Sequence, residues 1–118
     1  EAGEKKFAII DAGMNDLIRP SLYEAWHKVK EVEERDLESE TYDLAGPVCE
    51  TGDILARDRS LKIQPDDYLV FMDVGAYGSV MSSNYNSRLK PAELLVNKDV
   101  VKVIKRKENF EDLIALES

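Results

Sequence analysis

Short apolar runs separated by turn-forming residues dominate the hydrophobic pattern of this chain. Lys6–Asp11 contains four successive apolar residues and predicts a short buried strand. Tyr68–Val74 is the most apolar run and predicts a central strand. Trp26–Glu31 alternates imperfectly between polar and apolar residues, which favours another strand. Pro65–Asp67 is typical of a turn, so this part of the chain reads as strands joined by tight connections.

The rest of the pattern adds more strands and little helix. Further strands are expected at Tyr42–Ala45 and Ile54–Ala56. A pair of strands joined by Asn97–Asp99 is expected at Ala92–Val96 and Val100–Lys105. Asn15–Tyr23 can hold one turn of helix, whose length Pro20 limits. Asn109 is expected to cap a last short helix. The inner face of that helix would carry Phe110, Leu113 and Ile114. The elements together predict a mainly β fold, a mixed, antiparallel-rich β-barrel or sandwich with short helices.

Composition narrows the class of protein. With 118 residues, 43% of them apolar, the chain suits one domain with one core. Its net charge of −8, from 24 acidic and 16 basic residues, argues against nucleic acid as a partner. A single cysteine forms no intramolecular disulfide, which suits a reducing cytoplasm. No apolar run approaches the roughly 20 residues of a membrane helix. The chain begins without methionine, and we expect it to be part of a longer or processed protein.

Some polar residues have a structural interpretation. His27 is the sole histidine and has no cysteine or acidic partner at metal-ligand spacing, so no metal site is expected and a structural role is favoured. Glu33–Glu40 and Lys102–Lys107 read as solvated segments. Ser82–Lys90 is polar and typical of a loop. Within it, Asn84, Tyr85 and Asn86 are polar enough to line a site and equally suit a structured loop.

The only thiol of the chain is a candidate for chemistry. Cys49 precedes Glu50 in the string GPVCETGD, Gly46–Asp53. A carboxylate next to a thiol tends to raise the pKa of that thiol, which favours a proton donor over a nucleophile. Neighbouring side chains of a strand point to opposite faces, so the pair serves one site only if the backbone bends, as the glycines and proline of the string favour. The alternative is a buried small residue followed by a surface acid.

Two further positions carry suitable binding groups. Arg19 and Tyr23 lie four residues apart in IRPSLY and would share one face of a helical turn. A guanidinium beside a phenol suits a carboxylate, although an exposed arginine stacked on a tyrosine is the alternative. Tyr77 lies between small residues in DVGAYG, Asp73–Gly78. Its hydroxyl is suited to binding a phosphate oxygen. A turn tyrosine is the alternative there, because no glycine-rich phosphate cradle accompanies it.

Longer strings resemble a known family in order and spacing. They are DAGMNDLIRPSLYEAWH, GPVCETGD, DVGAYGSVMSSNYNSRLKPAELLV and the closing ENFEDLIALE. Together they are similar to the C-terminal β domain of diaminopimelate decarboxylases, over nearly the whole chain. Thr51 stands where this family more often has serine, and both residues carry a hydroxyl.

The resemblance implies a fold, a reaction and a role for each candidate. The family converts meso-2,6-diaminopimelate to L-lysine and CO2 with pyridoxal 5′-phosphate (PLP), in homodimers whose sites lie at the subunit interface. Arg19 and Tyr23 match positions that bind the remote carboxylate of the substrate, and Glu50 matches the acid that binds the remote amino group. Cys49 matches the proton donor, and Tyr77 matches a residue that touches cofactor and substrate. Cys49 and Glu50 are implied to reach the site of the partner subunit.

The resemblance also implies what this chain lacks. The family's N-terminal α/β barrel, which carries the cofactor-bonding lysine and most of the phosphate site, has no counterpart in these 118 residues. We therefore expect the chain alone to be inactive. Two alternatives stay open: a free-standing β module that binds or regulates a decarboxylase, and the equivalent domain of a PLP decarboxylase that acts on another amino acid.

Overall fold

The structure is mainly β, as the sequence predicts. It is a computed structural model that describes residues 4–118. The strands are β1 (Lys6–Ile9), β2 (Val29–Glu31), β3 (Glu40–Ala45), β4 (Ile54–Leu61), β5 (Leu69–Phe71), β6 (Glu93–Asn97) and β7 (Val100–Lys105). The helices are α1 (Arg19–Tyr23) and α2 (Phe110–Leu113), with single 3₁₀ turns at Ser79–Met81 and Tyr85–Ser87. Neither α1 nor α2 nor any other helix within residues 4–118 has the length and apolar character that crossing a bilayer requires.

The chain forms two compact units, a first unit of residues 1–82 and a second unit of residues 83–118. In the first unit, β1 pairs in parallel with β3, and β3 pairs antiparallel with β4. β2 and β5 form a separate antiparallel pair. The core of this unit lies between these two sheets, around the buried side chains Val29, Leu44, Ala56 and Leu61.

Strand β4 extends to Leu61, well beyond the predicted Ile54–Ala56. The charged residues in its second half kept these positions from being recognised as strand in the sequence. Arg59 is buried, although it lies in the charged run Arg57–Ser60. Asp58 lies in the left-handed region with φ of 54°, a conformation that aspartate tolerates better than most residues. The strand pairing of β3 and β4 is irregular, and leucine and arginine side chains of β4 both enter the interior.

Two predictions of buried strands are wrong. β1 was expected to be buried, but Phe7 and Ile9 are exposed, because β1 is an edge strand paired only with β3 within residues 4–118. The apolar run Tyr68–Val74 was expected to form a central strand, but only Leu69–Phe71 does so. In the described part of the chain β5 pairs only with β2, and Tyr68 stays 76% exposed. The apolar residues of these two runs therefore predicted that strands form there, and they did not predict whether the strands are buried.

The second unit consists of the β6–β7 hairpin and α2. The hairpin matches the prediction, and Lys98 takes the left-handed conformation of its turn, with φ of 56°. Asn109 caps α2 as predicted: its side chain accepts a hydrogen bond from the Asp112 N–H, and Asp112 accepts one in return from the Asn109 N–H. The predicted inner face of this helix is wrong, since Phe110 is exposed and no residue from Ser83 to Ser118 is buried.

Candidate functional site

Helix α1 presents the predicted pair Arg19 and Tyr23. Pro20 lies in its first turn, where a missing N–H is tolerated and the fixed φ suits a helix, so this proline begins the helix as well as limiting it. Glu24 ends α1 in a left-handed conformation with φ of 54°. Arg19 and Tyr23 are thus held on a single helical turn, and Tyr23 is 60% exposed. The pair is available to a ligand at the surface of the first unit.

Tyr77 lies against Arg19, although the two residues are far apart in the chain. The Arg19 guanidinium lies 5.7 Å from the centroid of the Tyr77 ring, within the range of a cation–π contact. The loop that carries Tyr77 is closed by a 2.7 Å hydrogen bond from the Gly78 N–H to the Val74 carbonyl, and a Cβ at Gly78 would collide with that carbonyl. Tyr77 nevertheless remains 58% exposed. The structure therefore brings together two of the predicted binding residues.

The backbone around Cys49 and Glu50 bends, as one site for both residues requires. The Glu50 N–H donates to the Val48 carbonyl at 2.8 Å, and the Asp53 N–H donates to the Glu50 carbonyl at 3.1 Å. Both Cys49 and Glu50 are exposed. The alternative of a buried filler cysteine is therefore wrong for this chain, and one bent turn carries both the thiol and the carboxyl at the surface of the first unit.

Asp53 is a structural element of the site that the sequence interpretation missed. It is 1% exposed, and each of its carboxylate oxygens accepts a backbone hydrogen bond. One oxygen accepts from the Met14 N–H at 2.6 Å, and the other accepts from the Val48 N–H at 2.7 Å. The Gly46 N–H also donates to the Asp53 carbonyl at 2.8 Å. In the sequence, Gly52–Asp53 is typical of a turn, whereas aspartate side chains also commonly accept hydrogen bonds from nearby backbone N–H groups.

Two glycines show how closely the turn lies against the rest of the first unit. A Cβ at Gly46 would collide with the carboxylate of Asp53 and lie 2.7 Å from the Ala12 carbonyl oxygen. A Cβ at Gly52 would lie 2.8 Å from the Ser21 hydroxyl oxygen, which belongs to α1. The turn that carries Cys49 and Glu50 is therefore adjacent to the helix that carries Arg19 and Tyr23.

A buried cation supports the neighbouring backbone. The Arg59 guanidinium lies 4.4 Å from the Trp26 ring and donates to the His27 carbonyl, and burial lowers the pKa of Arg59. His27 is itself buried, with Nδ1 3.1 Å from the Met72 carbonyl oxygen. Among residues 4–118, no group of three or more metal-ligating side chains is placed to hold an ion. The contacts of Arg59 and His27 thus hold the backbone that follows α1 in place.

The polar loop of the second unit is a structured loop. Asn84 donates to the Glu108 carboxylate at 2.7 Å and to the Arg88 carbonyl at 2.9 Å. The Lys90 N–H donates to the same carboxylate at 2.8 Å, and this bond, followed by that of Asn84, lowers the pKa of Glu108. The groups of Asn84 that suited a ligand are thus used to hold the loop.

Comparisons with known proteins agree in pointing to one family. A family model described as the C-terminal sheet domain of pyridoxal-dependent decarboxylases matches residues 1–75. The diaminopimelate decarboxylase of Pseudomonas aeruginosa is 53% identical over 114 residues, which cover 97% of this chain and 28% of that protein. The chain thus spans less than a third of the length of that relative.

Solved structures give the same result. A crystal structure of an Aquifex aeolicus protein matches with a TM-score of 0.92 and 46% identity, covering 98% of this chain and 29% of the other. The diaminopimelate decarboxylase of Helicobacter pylori, solved with L-lysine, matches with a TM-score of 0.87 and 45% identity, covering 94% of this chain and 28% of the other.

Proposed function

Since this chain belongs to the pyridoxal-dependent decarboxylase family as its C-terminal sheet domain, we propose that it is part of a cytoplasmic, homodimeric diaminopimelate decarboxylase. The proposed reaction is the conversion of meso-2,6-diaminopimelate to L-lysine and CO2. The contact of Arg19 with Tyr77 carries the proposal, because it joins two predicted binding residues from distant parts of the chain at an exposed surface.

Arg19 and Tyr23 would bind the carboxylate remote from the reacting carbon. A guanidinium forms two parallel hydrogen bonds to a carboxylate, and the phenol of Tyr23 adds a third donor. The stack on Tyr77 restricts the Arg19 side chain before the substrate arrives, which reduces the entropy lost on binding. A substrate without a distant carboxylate would leave these donors unpaired, which explains a preference for a diamino diacid.

Cys49 and Glu50 would act in the site of the partner subunit. The Glu50 carboxylate would bind the remote ammonium group of the substrate by charge and hydrogen bonding. The Cys49 thiol would donate its proton to the carbon that has lost CO2, which a neutral thiol can do and a thiolate cannot. Both groups are exposed on one bent turn, which suits side chains that reach into the site of a neighbouring subunit.

The residues of this chain fit a contact with PLP and not a complete PLP site. Tyr77 offers an exposed phenol whose ring is held beneath Arg19, and it would touch the cofactor and the substrate. When bound, PLP supplies the electron sink for the charge left by loss of CO2. The remaining groups that hold it would belong to a barrel domain outside this chain.

The experiment that tests the proposal measures turnover of meso-diaminopimelate by the complete two-domain enzyme and by its Glu50→Gln variant. Glutamine keeps the size and removes the charge, so we expect KM to rise about 10- to 100-fold. Glu34→Gln is the matched control, because Glu34 is an exposed acid of the loop between β2 and β3 and belongs to neither α1 nor the Cys49 turn. Equal KM values for the two variants would contradict the role of Glu50.

A second arm separates the remaining alternatives. We expect the purified 118-residue chain alone to release no lysine, because the cofactor-bonding lysine lies outside it. Normal turnover by this chain alone would contradict the assignment as half of an enzyme. Faster turnover of another amino acid by the complete enzyme would keep the PLP reaction and replace the substrate.

A further inference from the structure

We propose that Asp53 is a positioning residue, whose carboxylate fixes the substrate-binding helix α1 and the Cys49–Glu50 turn relative to each other. This inference rests on the proposed function for the roles of the two segments. It concerns a residue that contacts neither substrate nor cofactor in that proposal and acts only through the backbone it holds.

The geometry gives each carboxylate oxygen a separate task. Oδ1 accepts from the Met14 N–H at 2.6 Å, in the segment that leads into α1. Oδ2 accepts from the Val48 N–H at 2.7 Å, directly before Cys49. An ionised carboxylate accepts at both oxygens, so it can bridge two donors from two segments. One buried group therefore links the two segments that carry Arg19, Tyr23, Cys49 and Glu50.

Close packing makes this bridge difficult to replace. A Cβ at Gly46 would collide with the Asp53 carboxylate, so no side chain can take up the space beside it. The Asp53 side chain is 1% exposed, and water cannot easily supply the acceptor that its removal would take away. On the other side of the turn, Gly52 lies against Ser21 of α1. The bridge and this contact thus hold the turn and α1 at two points.

Asp43 provides a matched control within the same unit. It is also 1% exposed and also accepts a backbone hydrogen bond, from the Asp58 N–H at 2.9 Å. Its other contacts are ion pairs with Lys5 and Arg57, and none of these residues belongs to the candidate site. A loss of general stability would therefore appear in Asp43→Asn as well, whereas a loss of positioning would not.

The experiment compares Asp53→Asn with Asp43→Asn in the full-length protein. An asparagine at position 53 keeps one acceptor oxygen and points an N–H₂ group at the other backbone donor. Hydrogen–deuterium exchange with mass spectrometry would follow the peptides that contain Met14 and Val48. We expect one of them to exchange at least about tenfold faster in Asp53→Asn, because a hydrogen bond to a charged group is lost. In Asp43→Asn both should stay as in the unmodified protein.

Steady-state kinetics supply the second readout. We expect Asp53→Asn to raise KM for meso-diaminopimelate about tenfold if α1 is released. If the turn with Cys49 and Glu50 is released, we expect kcat to fall about tenfold through Cys49 and KM to rise through Glu50. Asp43→Asn should change neither. The inference would be overturned if Asp53→Asn and Asp43→Asn showed the same exchange rates and the same kinetic constants. It would also be overturned if Asp53→Asn changed only the thermal stability.

Two outcomes are kept distinct by these readouts. If the full-length protein shows no turnover of diaminopimelate, the proposed function fails, and the exchange data still decide whether Asp53 holds both segments. If Asp53→Asn does not fold, the exchange rates of the Met14 and Val48 amides in the unmodified protein test the inference instead. Met14 and Val48 amides that exchange as fast as unbonded amides would overturn the inference, and strongly protected ones would support it.

Discussion

The two units of the chain are stabilised in different ways. The first unit encloses apolar side chains around Leu44 and buries polar groups such as Asp43, Asp53 and Arg59. The second unit buries no residue between Ser83 and Ser118. All five candidate site residues lie in the first unit. The comparison indicates that the site is built where buried polar groups can fix loops, because a buried hydrogen bond resists competition from water.

Exposed polar contacts hold the second unit together. Arg106 donates to both carboxylate oxygens of Asp112, at 2.5 and 2.7 Å, while Asn109 and Asp112 form the cap of α2. The Val101 and Leu94 side chains of its hairpin remain exposed. Contacts of this kind fix local geometry and add little to the free energy of unfolding.

The largest expected difference concerns apolar side chains. Leu44→Ala in the first unit should lower the free energy of unfolding by about 2–5 kcal/mol, because Leu44 is fully buried and a cavity would remain. Val101→Ala in the second unit should change it by less than about 0.5 kcal/mol. Urea denaturation of the full-length protein would measure both. Equal effects would show that the second unit is stabilised by burial after all.

The next largest effect tests the close packing beneath the site. Gly46→Ala should destabilise the protein by about 1–3 kcal/mol, because the new Cβ would overlap the Asp53 carboxylate and the Ala12 carbonyl. Gly75→Ala is the control, since a Cβ at that position would meet no atom within 4 Å. Denaturation midpoints of the two variants would be compared. A tolerated alanine at Gly46 would contradict the packing described for this turn.

The smallest effect is a pH dependence confined to the second unit. The hydrogen bonds of Arg106, and then the Asn109 N–H, hold the pKa of Asp112 well below its ordinary value of about 4. A lowered pKa in the folded state means that the contribution of Asp112 is complete above about pH 4 and is lost as pH falls through the lowered pKa. The side-chain carboxyl carbon shift of Asp112 in an NMR titration should therefore move only below about pH 4.

Arg106→Gln gives the control for this titration. Without the guanidinium, the midpoint of the Asp112 carboxyl carbon shift should return toward the ordinary carboxyl value. A midpoint near pH 4 in the unmodified protein would show that the exposed pair has no measurable influence on α2.

Local signals in the sequence predicted local structure well. The β6–β7 hairpin followed from two apolar runs around Asn97–Asp99, and the α2 cap followed from Asn109 alone. Burial did not follow, because it depends on which elements pair. Lys6–Asp11 and Tyr68–Val74 contain similar apolar letters to core strands, yet β1 lies at a sheet edge and β5 has one neighbour among the described residues.

The same limit applies to the candidate site. The spacing of Arg19 and Tyr23 on one helical turn was readable from the sequence, whereas the stack of Arg19 on Tyr77 is a tertiary contact. The role of Asp53 was missed because nothing in Gly52–Asp53 identifies the backbone donors that its oxygens accept from. The resemblance to a family named the residues that are proposed to act on the substrate, and it did not include Asp53.

The hydrogen-bond bridge at Asp53 has a consequence for any attempt to redesign the candidate site with libraries of random substitutions. Its two donors are main-chain N–H groups, so the identity of the side chain at Met14 or Val48 does not enter the bridge itself. Only proline lacks the necessary hydrogen, so a library at either position must omit it. At Val48, whose side chain is buried, packing would also select for apolar residues, whereas the half-buried Met14 position would accept a wider range.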